Sequence, residues 1–110
     1  MSTTTSTYVP SEKSLRNLEI AEIIRSQIGR GAFFMIGAKN FVAIGNGLQF
    51  TVGRNAKSVK WIQIILDIGQ DSYNFRALKA NAQVAFEIDD VYVDMLHDLI
   101  ETSTGMYTKL

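Results

Sequence analysis

The sequence predicts an α+β domain, with an antiparallel sheet of five or six short strands flanked by an N-terminal and a C-terminal helix packed on it. Three observations carry that expectation. Residues 61–66 alternate strictly, with Ile62, Ile64 and Leu66 on one face and Trp61, Gln63 and Ile65 on the other. Gly45-Asn46-Gly47 sits between two apolar runs as a hairpin turn. The segments on either side of this strand-rich centre have helical periodicity, and the short connections favour a meander.

The 110 residues suit one domain, and a chain of that length buries roughly two-thirds of its unfolded surface. With hydrophobic residues at 46% and charged residues at 20%, a soluble globular protein is expected. The absence of cysteine excludes disulfides, thiolate metal sites and cysteine nucleophiles. No apolar run reaches the roughly 18 residues of a membrane span, and MSTTTSTYVP lacks a basic region followed by an apolar one. A cytoplasmic location, with no membrane association, is the expectation.

Residues 1–12 read as a disordered Ser/Thr-rich arm that includes the single proline, Pro10, and residues 13–110 as the domain. A helix starts near Ser11 or Ser14 and runs to Ile28, with Leu18, Ala21, Ile24 and Ile28 as its inward stripe. Ile20 and Ile23 fall off that stripe. Gly29 and Gly31 end the helix. Residues 32–36 read as a short buried strand, and 37–40 as a turn.

The hairpin arms come next, 41–44 and 48–52. After the strand centred on Ile64, a turn at 67–72 leads to Tyr73, Phe75 and Ala77, then to Val84, Phe86 and Ile88. Asp89 or Asp90 caps a second helix, with Val93, Leu96, Leu99 and Ile100 inward. Gly105 ends it, and Met106 and Tyr107 fold back onto the core.

The net charge is zero but uneven. Residues 1–24 carry two basic against three acidic side chains; residues 25–80, eight against two; residues 81–110, one against six. Such asymmetry steers an anionic partner toward one region and away from another.

Enzymatic signatures are sparse. Asp94, His97 and Glu101 share a helix face at ligand-like spacing, but no fourth ligand or HExxH pattern accompanies them. No serine stands in a GxSxG elbow, and Gly29-Arg30-Gly31 follows a helix where a phosphate-binding loop would precede one. A metal-dependent enzyme is therefore the least favoured alternative, and no catalytic residue, metal or cofactor is expected.

The polar loops carry the functional expectation. Lys39 and Asn40 in GAKN, and Arg54, Asn55 and Lys57 in RNAK, form a cationic edge near Trp61 if both loops lie at one end of the sheet. Lys and Arg suit phosphate oxygens, and an exposed indole can stack on a base. Ile20, Ile23 and Ile65 exceed what one helix-on-sheet layer needs, so a homo-oligomer through them is expected.

Gly37-Ala38-Lys39-Asn40-Phe41, Arg54-Asn55-Ala56-Lys57, Asp71 with Tyr73, Val91-Tyr92 with Asp94 and Leu96, and Thr104-Gly105-Met106-Tyr107 together carry a resemblance. Over most of residues 15–110 the chain resembles a family of small uncharacterised proteins encoded by bacteriophages, prophages and plasmids. The resemblance implies a mobile-element accessory protein and attaches no activity to it. The expectation is a non-enzymatic binding protein that acts, through the basic loops, on a host protein or a nucleic-acid-containing complex; the alternative is a direct single-stranded nucleic-acid binder.

Overall fold

A computed structural model describes residues 12–109. Of the disordered Ser/Thr-rich arm expected over residues 1–12, residues 1–11 lie outside the described residues, and Glu12 is the first residue of a helix.

The elements run α1 (Glu12–Ile28), α2 (Arg30–Met35), β1 (Lys39–Ile44), β2 (Gly47–Thr51), β3 (Val59–Asp67), β4 (Ser72–Lys79), β5 (Val84–Val91), a 3-10 turn (Val93–Met95) and α3 (Leu96–Thr104). The sheet is an antiparallel meander in the order β1-β2-β3-β4-β5, with β3 at its centre. The α+β class and the flanking helices match the sequence expectation.

Alternation in β3 produces the two faces. Ile62 and Ile64 are buried and pair on either side with Phe50, Leu48, Ala77 and Phe75, which are also buried. Burying each such large side chain contributes about 1.5–3 kcal/mol. All three helices share this core. Ile24 and Ile28 of α1, Ala32 and Phe33 of α2, and Leu96 and Ile100 of α3 join one cluster with the inward strand residues. The other face carries Gln49, Gln63, Arg76 and Glu87 in one cross-strand row, with Gln63 Nε2 donating to Gln49 Oε1 at 2.8 Å and Arg76 pairing with Glu87 at 2.6 Å. No second layer covers that face among the described residues, so the sheet has one helical side and one open side.

Gly47 permits the β2–β3 approach. A Cβ there would collide with the Ile64 carbonyl and lie 2.8 Å from the Ile65 Cα. Asn46 takes the positive φ of the hairpin, at 56°, and its N–H is held at 3.1 Å by Asn17 Oδ1 of α1.

Five expectations are corrected. Residues 32–35 are helical rather than a strand, and Ile36 caps the helix. The segment buries Ala32, Phe33 and Ile36, the spacing of a helix, and leaves Phe34 85% exposed. The inward stripe of α1 is Ile20, Ala21, Ile24 and Ile28, whereas Leu18 is 53% exposed. Asp89 and Asp90 belong to β5, with Asp90 at φ 57°, and do not cap α3; Val93 is exposed. Gly105 ends α3 at φ 79° as expected, and Met106 packs on the core, but Tyr107 is 73% exposed. Thr108 is the buried anchor of that tail, held by Glu101.

Candidate functional site

The register of a meander decides which loops become neighbours. Lys39 at the start of β1 pairs with Thr51 at the end of β2, Thr51 with Trp61 near the start of β3, and Trp61 with Leu78 near the end of β4. Leu78 in turn pairs with Val84 at the start of β5. The GAKN and RNAK loops thus share one end of the sheet. Gly53 N–H donates to the Ile36 carbonyl at 2.9 Å, joining the two loops directly.

That end is cationic. Residues 36–41, 52–61 and 78–85 contain Lys39, Arg54, Lys57, Lys60 and Lys79 and no carboxylate. The opposite end is the reverse: residues 44–48, 66–73 and 88–95 contain Asp67, Asp71, Asp89, Asp90 and Asp94 and no lysine or arginine. The meander converts a charge imbalance along the chain into a dipole along the sheet. Lys39, Arg54, Lys57, Lys60 and Lys79 are all exposed, and the only ion pair among the described residues, Arg76–Glu87, lies elsewhere.

The cations divide between the two faces. Lys39 shares its cross-strand row with Thr51 and Trp61 on the open face. Trp61 is half-buried there, with the Lys60 Nζ 6.0 Å from its ring centroid, at the outer limit of a cation–π contact. Lys57 instead packs against Gly105 and, with Lys79, Val84, Phe86, Thr102 and Ser103, lines a shallow groove at the end of α3. Lys57 is therefore separated from Trp61 by the edge of the sheet.

Asn55 is a structural residue. Its Nδ2 donates to the carbonyls of Gly53 (2.9 Å) and Val59 (2.8 Å), and its Oδ1 accepts from the N–H groups of Lys57 (3.2 Å) and Val59 (3.0 Å). Two donors and two lone pairs are all an amide side chain offers, so Asn55 has nothing left for a partner. Asn40, at φ 57°, donates through Nδ2 to Thr51 Oγ1, which itself donates to the Lys39 carbonyl at 3.0 Å. This chain of bonds fixes the base of the cationic rim and leaves the lysine side chain exposed.

The apolar residues expected to form an oligomer interface lie on three different surfaces. Ile20 is buried in the core at 8% exposure, Ile23 is on the exposed side of α1, and Ile65 is half-buried on the open sheet face. They do not make one patch. The carboxylate–histidine set is likewise dispersed. His97 Nε2 donates to the Ile28 carbonyl at 2.7 Å, tying α3 to the end of α1, and Glu101 accepts from the N–H and hydroxyl of Thr108 at 2.9 and 2.8 Å. Those two hydrogen bonds hold the Glu101 carboxyl below the usual carboxylate range. No group of three His, Asp or Glu side chains converges on a metal position among the described residues.

Sequence reasoning missed Lys60 and Lys79 as members of the cationic end. Their charge was visible, but the register that brings them beside Lys39 and Arg54 was not. No helix among the described residues is long and apolar enough to cross a membrane. Comparisons with protein-family models, curated proteins and solved structures find no match.

Proposed function

We propose that this chain is a non-enzymatic binding protein whose cationic sheet end engages an anionic macromolecular surface, above all a nucleic-acid-containing complex. The observation that carries the reading is the segregation of Lys39, Arg54, Lys57, Lys60 and Lys79 to one end of the sheet, with no carboxylate in the same loops. Single-sign charge at one pole orients an approaching polyanion, and the acidic pole repels it from the wrong end. The near-zero total charge fits a local, oriented contact better than a wrap along duplex DNA. The resemblance to mobile-element proteins supplies the setting: an accessory protein acting on a host complex.

A second reading is favoured by one feature, the half-buried Trp61 on the open face, with the Lys60 ammonium near its ring and Lys39 farther along the same cross-strand row, beyond Thr51. An indole on an uncovered sheet with a lysine near its ring is a stacking platform for a single-stranded base, a contact worth about 1–3 kcal/mol.

The test is titration of a fluorescein-labelled, mixed-sequence single-stranded oligonucleotide, followed by anisotropy across a salt series. Binding that weakens with salt, and a Lys39→Ala/Arg54→Ala/Lys60→Ala variant whose log–log salt slope is lower by about two, supports the cationic end. If Trp61→Ala also loses about tenfold or more in affinity, the stacking reading holds as well. Equal binding by the wild type and the triple variant overturns the assignment.

A further inference from the structure

The acidic end of the sheet holds a cavity of about 230 Å³, where the start of β4, the end of β5 and the last turn of α1 meet. Gln27 of α1 lines it together with Asp71, Ser72 and Tyr73, and Leu66 and Val91 supply apolar walls. That volume is below the roughly 300–1,000 Å³ of an ordinary small-molecule site, and suits one functional group on a short apolar stem.

The polar atoms here are mostly acceptors. Tyr73 donates its O–H to Gln27 Oε1 at 2.7 Å, which leaves lone pairs on both oxygens. Burial holds the Tyr73 phenol above its ordinary range, the Gln27 hydrogen bond offsets part of this, and the nearby Asp71 charge adds to it. The phenol is therefore neutral, and the Asp71 carboxylate is the only charge lining the cavity among the described residues. Asp71 has no ion-pair partner among those residues, and the loops at this end contain no lysine or arginine to supply one.

Ser72 is the independent sign of a missing donor or acceptor. It is 3% exposed, and its Oγ is the one buried side-chain polar atom without a hydrogen-bond partner among the described residues. Native proteins keep few such atoms, because each has given up water and gained no partner in return. We infer that the cavity is a socket for an alkylguanidinium group, neutralised by Asp71 and donating to the oxygens of Ser72, Tyr73 and Gln27. Its planar fork of five N–H donors serves several spread acceptors better than a compact ammonium does. An arginine side chain of a partner and a free guanidino compound present the same head group. The socket lies at the opposite pole from the cationic loops and shares no residue with them.

Titration of the nitrogen-15-labelled full chain at low salt, followed by nuclear magnetic resonance, tests the socket. The probes are Nα-acetylarginine methylamide and agmatine. Saturable shifts at the Ser72, Tyr73 and Val91 amides are expected, with a dissociation constant on the order of 1 mM. Tighter binding of the acetylarginine amide assigns the socket to a protein side chain, and tighter binding of agmatine assigns it to a free compound. Asp71→Asn, a change that the positive φ of 53° tolerates, should weaken binding about threefold. Ser72→Ala should also weaken it about threefold, with a thermal midpoint at or above that of the wild type, since only an unpartnered hydroxyl is lost. Shifts that are absent or do not saturate overturn the inference. So does equal binding of the uncharged isostere Nα-acetylcitrulline methylamide, or an affinity that Ser72→Ala leaves unchanged. A midpoint lowered by Ser72→Ala would show that the hydroxyl already has a partner, and overturns it equally.

Discussion

Gly37 and Gly53 lie back to back, with a Cβ built on Gly37 only 3.4 Å from the Gly53 Cα. This contact seats the turn after α2 directly on the loop before β3, and places Lys39 and Arg54 at one end of the sheet. Gly37 also has φ 63°, a conformation that disfavours any side chain. Gly37→Ala should therefore cost about 1–2 kcal/mol in urea unfolding, with the helical core otherwise intact. A substitution without cost would show that the loops are not held together here.

Asn55 organises the cationic loop from within. Replacing it with alanine strands the carbonyls of Gly53 and Val59 and the N–H of Val59, and should destabilise the protein by about 2–4 kcal/mol. Asn55→Asp keeps the two accepted bonds and loses both donated ones, so it should fall between wild type and alanine. Chemical denaturation of the three proteins gives the order.

Ala32 and Phe33, buried side by side with Ile36 one turn on, mark α2 as a helix rather than a strand. Phe33 packs edge-on to Phe41 and Phe50, with centroids 4.8 and 5.3 Å away, while Phe34 faces solvent. Phe33→Ala should cost about 3–5 kcal/mol, whereas Phe34→Ala should stay within about 0.5 kcal/mol. The opposite ranking in thermal melts would contradict the packing of Phe33 in the core.

The tail after α3 should loosen in acid. The Glu101 carboxyl is lowered chiefly by the Thr108 N–H, then by the Thr108 hydroxyl. A carboxyl lowered on folding contributes stability that is present above its unfolded value of about 4.3 and is lost as pH falls through the folded one. The protection factor of the Thr108 amide, its exchange relative to the intrinsic rate at each pH, should fall in that acidic window, and Glu101→Gln should flatten the dependence. A protection factor that ignores acid would contradict the assigned hydrogen bonds.

Much of the fold was legible because β3 and β4 alternate cleanly and Gly45-Asn46 admits few conformations. The errors arose where local pattern is ambiguous. Residues 32–36 are short, apolar and aromatic, so strand and helix fit equally well until Ala32, Phe33 and Ile36 are seen buried together on one helical face. In α1, Leu18 and Ile20 are both apolar, and only the packing of Ile20 with Ile24 against the sheet decides which faces inward. Within the site, Asn55 looked available for a partner because a sequence does not show which amide closes its own loop. The cationic pole needed the strand register, which brings Lys79 level with Val59 although twenty residues separate them.

The salt dependence of oligonucleotide binding, with and without Lys39, Arg54 and Lys60, tests the cationic pole most directly. Affinity should fall steeply between about 50 and 200 mM salt, and the triple alanine variant should bind more weakly with a shallower slope. A triple variant that melts like wild type and binds with the same affinity and slope would contradict a binding role for that end of the sheet.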